Sequence, residues 1–195
     1  MFGTWEHLHL NVGTCMFRPE RGNVHVPLWS VKNMQTVIGI DPGLNGAMAL
    51  CVRQGDSVRV EAVVDLPTWN DTLKSTGKVR RYVDGNAMAE LIAAWPRPDL
   101  IVCERLVAPP AIASTVAFSM GATQGTIQTI LRAQTVRHVL VAARVWKQAL
   151  NVPADKEQAR QWVIRTIGND KDIKRKLDHN RAEAIAIAIY GLLAL

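Results

Sequence analysis

The order of the hydrophobic segments constrains the fold of this chain most strongly. From Gln35 onward, three strand-like runs follow one another with only short turns between them: "QTVIGID", "GAMALCV" and "SVRVEAVVDL". Such turns join antiparallel strands, because parallel neighbours need a long crossover connection. A helical stretch, "NAMAELIAAW", then precedes a fourth strand, "LIVCE". The sequence therefore predicts an α/β chain that begins with an antiparallel meander.

The remaining segments extend this pattern. They are a long helix rich in small residues, a fifth strand and three further helices, in the order "ASTVAFSMGATQGTIQTILRAQ", "VRHVLVAA", "RVWKQAL", "DKEQARQWVIRTI" and "RAEAIAIAIYGLLAL". The polar, basic and turn-rich stretch "PTWNDTLKSTGKVRRYVDGN" is predicted to be a mobile loop. We expect a five-stranded mixed sheet, with three antiparallel strands and then parallel strands, flanked by helices.

The length of 195 residues fits one domain. Residues 1–33 lack a clear period and the features of a signal peptide, so we predict a poorly ordered extension followed by a domain over residues 34–195. The loose spacing of His7 and His9 favours a weakly ordered tail over a metal site.

Charge and cysteine content narrow the class of partner and the compartment. A net charge of +6 favours a polyanionic partner, although charge alone does not separate DNA, RNA and acidic membranes. No apolar run reaches the roughly 18 to 20 residues of a membrane span, so we expect a soluble protein without a membrane partner. Cys15, Cys51 and Cys103 show no C-x-x-C spacing and predict thiols in a reducing, cytoplasmic compartment.

Acidic residues end two of the predicted strands. Asp41 follows "VIGI" and Glu104 follows "LIVC", and adjacent parallel strands would bring these carboxylates within a few Å. Near the C-terminus, Asn180 and Glu183 are spaced i,i+3, and His179 and Glu183 are spaced i,i+4, so either pair can share a helix face. We expect this polar turn and the two strand ends to form one site.

Clustered carboxylates repel one another unless a cation neutralises them, and hard oxygen ligands select Mg²⁺ or Mn²⁺. In a basic protein this predicts phosphodiester hydrolysis with two divalent ions, for which Asp41 is the candidate bridging ligand. The Pro-Gly turn after Asp41 would leave room for a DNA backbone.

Simpler interpretations exist for each residue taken alone. Asp41 could be a turn former, Asn180 and Glu183 could form a capping box, and Glu104 could pair with Arg105 at the surface. The coincidence of all three features in one α/β order favours a site.

Five motifs together resemble a known family. In chain order they are "IGIDPGLNGA", "VCER", "SMGATQGTIQTIL", "VAARVWKQAL" with "DKEQAR", and "HNRAEAIAIA". From about Thr36 to the C-terminus the chain resembles the RuvC-type Holliday junction resolvases of the RNase H-like superfamily, particularly their phage and prophage branch. The resemblance implies an RNase H-like fold and a homodimeric, Mg²⁺-dependent endonuclease that nicks four-way junctions symmetrically, with Mn²⁺ able to replace Mg²⁺.

The resemblance also implies the site residues. Asp41 matches the aspartate of the first strand, Glu104 matches the glutamate of the fourth strand, and Glu183 falls on the final acid of a D-x-x-D pair. The first member of that pair falls on Asn180, which departs from the family because an amide brings no charge. Two other residues could substitute for it as metal ligands, namely Asp178 and His179.

Basic and aromatic residues would extend the site toward DNA. Between residues 144 and 181 there are ten Lys or Arg against five acids, and about half of these cations are expected on a solvated face. Lys147 and Lys156 match family positions near the active site and are predicted to contact phosphates. The other predicted DNA contacts are Arg81, Arg105 and, as a base-stacking residue, Tyr82. Core packing is favoured over stacking for Trp146 and Trp162.

Several hypotheses stay open at this point. A nuclease could act on forks, flaps or other branched DNA rather than on four-way junctions alone, and a non-catalytic junction-binding protein would explain the asparagine at position 180. An ATP-binding relative of the sugar-kinase and actin group is disfavoured, because the chain is too short for two lobes and lacks a second phosphate loop. The small residues of "SMGATQGT" fit either a dimer seam or tight packing on the sheet.

Overall fold

The computed structural model describes residues 34–72, 74–75, 77–168 and 171–194. The predictions for residues 1–33, including those for His7, His9 and Cys15, lie outside these ranges. The described chain contains seven strands: β1 (Met34–Asp41), β2 (Ala47–Gln54), β3 (Ser57–Asp65), β4 (Thr68–Thr72), β5 (Val79–Val83), β6 (Leu100–Arg105) and β7 (His138–Ala142). Its α-helices are α1 (Gly85–Ala94), α2 (Ser114–Ala133), α3 (Ala143–Leu150), α4 (Lys156–Ile167) and α5 (His179–Ala194).

Five strands form the central sheet in the order β3-β2-β1-β6-β7. The β1–β2 and β2–β3 pairs are antiparallel, whereas β1–β6 and β6–β7 are parallel. The sheet predicted from the sequence is therefore confirmed, and so are the helices on either side of it.

Helices cover both faces of the sheet, and β1 is apolar on both sides for that reason. Val37 belongs to a core that includes side chains of α3, α4 and α5. Its neighbour Ile38 belongs to the opposite core, which includes side chains of α1 and α2. Trp146 is fully buried in the first core and Trp162 packs against it, as predicted. No helix in the described ranges is long and apolar enough to span a membrane.

Helix α5 approaches β1 closely at Gly39. A Cβ atom on this residue would lie 2.2 Å from the carbonyl oxygen of Ala184 and 2.4 Å from the backbone nitrogen of Ala188. Only glycine permits this approach of two backbones. The contact fixes the first turn of α5 beside the carboxyl end of β1.

The prediction of a mobile loop before α1 is wrong. Within it, β4 and β5 pair as an antiparallel hairpin, with Trp69 opposite Tyr82 and Asp71 opposite Arg80. Exposed polar side chains hide the strand pattern in the sequence, because this two-stranded sheet has little apolar surface to bury. The hairpin attaches to the central body through Val83, which lies in the core.

Candidate active site

Two acids stand side by side where neighbouring strands end. The parallel register of β1 and β6 aligns Ile40 with Cys103, and Asp41 and Glu104 are the next residues on the two strands. Because side chains alternate along a strand, Asp41 shares the face of Val37, and Glu104 shares the face of Val102. That face is covered by α3, α4 and α5. The register thus places the two acids at the ends of neighbouring strands and on the same face of the sheet.

The turn after Asp41 is tight at Gly46. A Cβ atom on Gly46 would lie 2.1 Å from the carbonyl oxygen of Asp41, and the Gly46 amide donates a hydrogen bond to the Gly43 carbonyl at 3.0 Å. A Cβ atom on Gly43 would meet nothing within 3.7 Å. Close backbone packing in this turn therefore requires glycine at position 46 but not at position 43, in the Pro-Gly pair.

Helix α5 supplies the third acid. Oε1 of Glu183 lies 2.6 Å from Nζ of Lys147, which is on α3. The same ammonium group lies 5.1 Å from the ring centroid of Trp146. The indole Nε1 of Trp146 donates a hydrogen bond to Oε2 of Glu104 at 2.8 Å. Helix α3 thus provides partners for two of the three carboxylates.

The three carboxylates form one electrostatic cluster. Burial raises the pKa of Asp41 well above its usual range, and the charges of Glu183 and Glu104 raise it further. Burial, followed by the charge of Glu183, also raises the pKa of Glu104. The charges of Lys156 and Lys147 act in the opposite direction on the pKa of Asp41. Both lysines singled out in the sequence therefore act on the cluster.

Asn180 is held against the turn between β1 and β2. Its amide Nδ2 donates a hydrogen bond to the carbonyl oxygen of Asn45 at 2.5 Å. This contact uses the amide nitrogen of Asn180 as donor. It does not involve the acceptor oxygen Oδ1 of the same amide. A carboxylate at this position would set an oxygen against the Asn45 carbonyl.

The two proposed substitutes for Asn180 have other partners. Asp178 is buried, and its two oxygens accept hydrogen bonds from the backbone and the guanidinium of Arg175, at distances of 2.7 to 3.0 Å. These contacts with Arg175 lower the pKa of Asp178. Nδ1 of His179 lies 3.3 Å from the carbonyl oxygen of Lys176.

Two of the simpler interpretations, those for Glu104 and for the Asn180–Glu183 pair, are not observed. Asn180 and Glu183 do not form a capping box, because α5 begins at His179 and both side chains have distant partners. The carboxylate of Glu104 accepts from Trp146 rather than pairing with Arg105.

Several of the basic residues between positions 144 and 181 form ion pairs with acids of the same chain. Ion pairs join Arg160 to Glu157, Arg175 to Asp178, and Arg181 to Asp65. The first two pairs join residues of the same basic segment and leave its excess of cations unchanged, whereas Arg181 is offset by an acid from outside that segment. Lys156 is exposed at the first residue of α4.

The described residues contain no group of three His, Cys, Asp or Glu side chains already arranged to hold one metal ion. The donor types nevertheless suit a hard divalent cation, since Asp41, Glu104, Glu183 and Asn180 offer only oxygen atoms as ligands. Burial is the main cause of the raised pKa values of Asp41 and Glu104, and the charges of the neighbouring acids add to it.

The mixed sheet, with helices on both faces and acids at the strand ends, defines an RNase H-like fold. The particular solved structures it resembles include Thermus thermophilus RuvC in complex with a Holliday junction substrate, with a TM-score of 0.54 and 18% identity over 80% of this chain and 92% of that one. A second Thermus thermophilus RuvC structure gives a TM-score of 0.53 and 19% identity over the same shares. Fowlpox virus resolvase is more distant, at a TM-score of 0.45 and 13% identity over 82% of this chain and 99% of that one. The sequence matches no family model and no curated protein.

Proposed function

We propose that this chain is a divalent-metal-dependent endonuclease that resolves four-way DNA junctions by paired, symmetric nicks. The observation that carries the proposal is the convergence of Asp41, Glu104 and Glu183, from β1, β6 and α5, in one electrostatic cluster. The RNase H-like fold supports it, since the similar Thermus protein was solved with a Holliday junction.

In this proposal Asp41, Glu104 and Glu183 would hold two Mg²⁺ ions, with Asp41 contributing to both, and Mn²⁺ could substitute. Ions bound there would activate water and stabilise the leaving oxygen of a phosphodiester. Oδ1 of Asn180 would be a further ligand, because its Nδ2 is already used by Asn45. The contacts of Asp178 with Arg175 favour Asn180 over Asp178 in this role.

Lys147 has two tasks in the proposal. Without metal, its ammonium offsets part of the negative charge of the cluster through Glu183. If Glu183 held a divalent ion instead, the Lys147 ammonium would be available to a phosphate oxygen. The lysine side chain is flexible and its charge compact, which suits such an exchange.

DNA would reach the acids across a basic surface. A groove of about 480 Å³ is lined by residues that include Arg144, Lys147 and Gln148. Lys156 contributes charge on the same side of the cluster, because it acts on Asp41. Arg105 is exposed at the end of β6, directly after Glu104, and is assigned a phosphate contact there.

The same proposal includes a homodimer with α2 at the seam. Cβ atoms on Gly121 or Gly125 would meet nothing within 4 Å, so these glycines do not serve packing on the sheet. Phe118, one turn away, is 67% exposed, and Val116 is also exposed. A two-fold dimer would present two equivalent sites to the two-fold symmetric junction.

The test is a panel of labelled four-way junctions, forks, flaps and duplexes incubated with Mg²⁺ or Mn²⁺, with every nick mapped to the nucleotide. The proposal predicts paired nicks at symmetric positions of the junction, dependent on the ion. Comparable cleavage of forks and flaps would support the broader branched-DNA nuclease instead.

A second candidate function is non-catalytic junction binding. It is favoured by the Lys147–Glu183 ion pair and by the lack of a ready three-ligand group among the described residues. Tight junction binding without a nick at any Mg²⁺ or Mn²⁺ concentration would establish it and exclude the nuclease.

A further inference from the structure

The β4–β5 hairpin carries an aromatic pair on the face that points away from the core. Along β5, Val83 and Arg81 share one face, and Val83 is buried in the core. Tyr82 therefore lies on the opposite, outward face, together with its cross-strand partner Trp69. The two rings stack with their centroids 5.3 Å apart and their planes at 28°.

Trp69 is the more accessible ring. It is 47% exposed, whereas Tyr82 is only partly exposed. A cross-strand aromatic pair stabilises a two-stranded hairpin, which by itself is marginal in water. That role needs the contact between the rings but not the exposure of a large indole surface, which is free to stack on a third ring.

The charge around this pair is positive. The stretch from Thr68 to Val83 contains four cations and one acid, namely Lys74, Lys78, Arg80, Arg81 and Asp71. Arg80 lies on the outward face beside Tyr82 and opposite Asp71, and its side chain is exposed. Aromatic rings bordered by cations suit a nucleic acid strand, because its bases stack while its phosphates meet the positive charge.

The inward face ties the hairpin to the active site. The guanidinium of Arg81 donates a hydrogen bond to Oδ1 of Asn45, in the turn between β1 and β2. The carbonyl oxygen of Asn45 in turn accepts from Asn180. The chain entering the hairpin is anchored to the same turn, since the Leu66 amide donates to the Gly46 carbonyl at 2.8 Å. The hairpin is thus tied to the turn that follows Asp41, the last residue of β1.

We propose that the hairpin is a stacking platform for an unpaired base of a DNA strand that leaves a branch point, with Trp69 as the principal contact. Arg80 contacts the phosphates of that strand, and the Arg81–Asn45 contact sets the distance between platform and acids. This inference rests on the proposed function for its substrate class and adds a residue, Trp69, and an element to it.

Fluorescence of 2-aminopurine tests the platform, because stacking on an indole quenches it. The probe is placed at the branch point of a four-way junction and, separately, within a single-stranded oligonucleotide. Asp41→Asn serves as the background, so that the DNA stays intact. We expect Trp69→Thr to abolish the quenching and to weaken binding to both probes by roughly 5- to 100-fold, with duplex affinity unchanged.

Two further variants and a cross-link separate stacking from hairpin stability. Val79→Thr changes an exposed hairpin residue on the other face and should leave quenching intact. Trp69→Phe retains the cross-strand ring pair and should preserve part of the quenching. In the unmutated protein, 5-iodouracil at the probe position should cross-link to Trp69 or Tyr82 on irradiation.

Equal quenching and affinity in Trp69→Thr, or cross-links confined to other segments, would overturn the platform. The single-stranded probe reports on the hairpin whether or not junctions are nicked. Failure of the nuclease proposal and failure of this inference are therefore distinguishable.

Discussion

Nζ of Lys147 lies 2.6 Å from Oε1 of Glu183, so a cation of the chain itself partners one of the three site carboxylates. Both side chains are mostly buried, at 23% and 12% exposure, and the pair is therefore poorly screened by solvent. The divalent ion proposed for this cluster would have to compete with that ammonium group. In the proposed function, Lys147 would therefore affect metal binding, stability and phosphate contact.

Lys147→Met should separate these effects, because methionine keeps an unbranched side chain but removes the charge. We expect the metal-free protein to lose about 1 to 3 kcal/mol of unfolding free energy, as Glu183 is left without its charged partner. Mn²⁺ should bind severalfold more tightly, and junction nicking should slow. Denaturant unfolding in EDTA measures the stability, and calorimetric titration measures the Mn²⁺ affinity. Lys147→Arg is the matched control, and unchanged Mn²⁺ affinity in Lys147→Met would contradict the competition.

Asp41→Asn should stabilise the metal-free protein at neutral pH. Burial and two neighbouring carboxylates raise the pKa of Asp41 in the folded state, so ionising this group opposes folding. Removing the charge should raise Tm by several degrees, since about 1 kcal/mol corresponds to roughly 2 to 4 °C in a chain of this size. Thermal unfolding in EDTA measures it, and a lower Tm at pH 7 would contradict it.

The free energy of unfolding of the unmutated protein should decrease as pH rises through the range in which Asp41 ionises. Above about pH 4 the unfolded chain has lost the Asp41 proton while the folded chain still holds it. The free energy of unfolding therefore decreases as pH rises from there through the raised folded pKa. Urea unfolding across this window should show a smaller decrease in Asp41→Asn, and an identical slope in both proteins would be inconsistent with the account.

Asn180→Asp should destabilise the metal-free protein, although aspartate is the residue that the family resemblance implies here. The new carboxylate would face the Asn45 carbonyl and add a fourth acid to the cluster. We expect a loss of roughly 1 to 3 kcal/mol in EDTA, most of which Mg²⁺ restores. Asn180→Ala removes the hydrogen bond without adding charge and serves as the comparison. Equal stability of Asn180→Asp and the unmutated chain in EDTA would rule out this role for Asn45.

The proposed dimer seam on α2 predicts a change of oligomeric state without loss of fold. Gly121→Glu with Gly125→Glu should yield a folded monomer, because the new side chains enter open space but repel across a two-fold axis. Sedimentation equilibrium measures the mass, and Asn86→Glu, an exposed change on α1, is the control. A dimer that persists in the double variant would place the seam elsewhere.

The sequence predicts the central sheet well because its strands are buried. Continuous apolar runs such as that of β1 are typical of buried strands. The ends of two such runs mark Asp41 and Glu104 as strand-end acids. The hairpin was missed because β4 and β5 are exposed and polar, so no hydrophobic period marks them. Trp69 was missed with it.

Contacts between distant residues account for most of what the sequence did not indicate. Burial of Trp146 was predicted, but its hydrogen bond to Glu104 depends on how α3 docks beside β6. The contact between Asn180 and Asn45 joins residues 135 positions apart and gives the asparagine at position 180 a hydrogen-bond partner. Neither contact has a local signature in the chain.

The most direct measurement is single-turnover nicking of a labelled four-way junction by Asp41→Asn, Glu104→Gln and Glu183→Gln, with junction affinity determined for each protein. Glu61→Gln, a change at an exposed acid on β3, is the control. Each site variant should lose at least about 100-fold in nicking rate and bind the junction within about threefold of the unmutated chain. Nicking at the unmutated rate by any one of the three site variants would contradict this prediction.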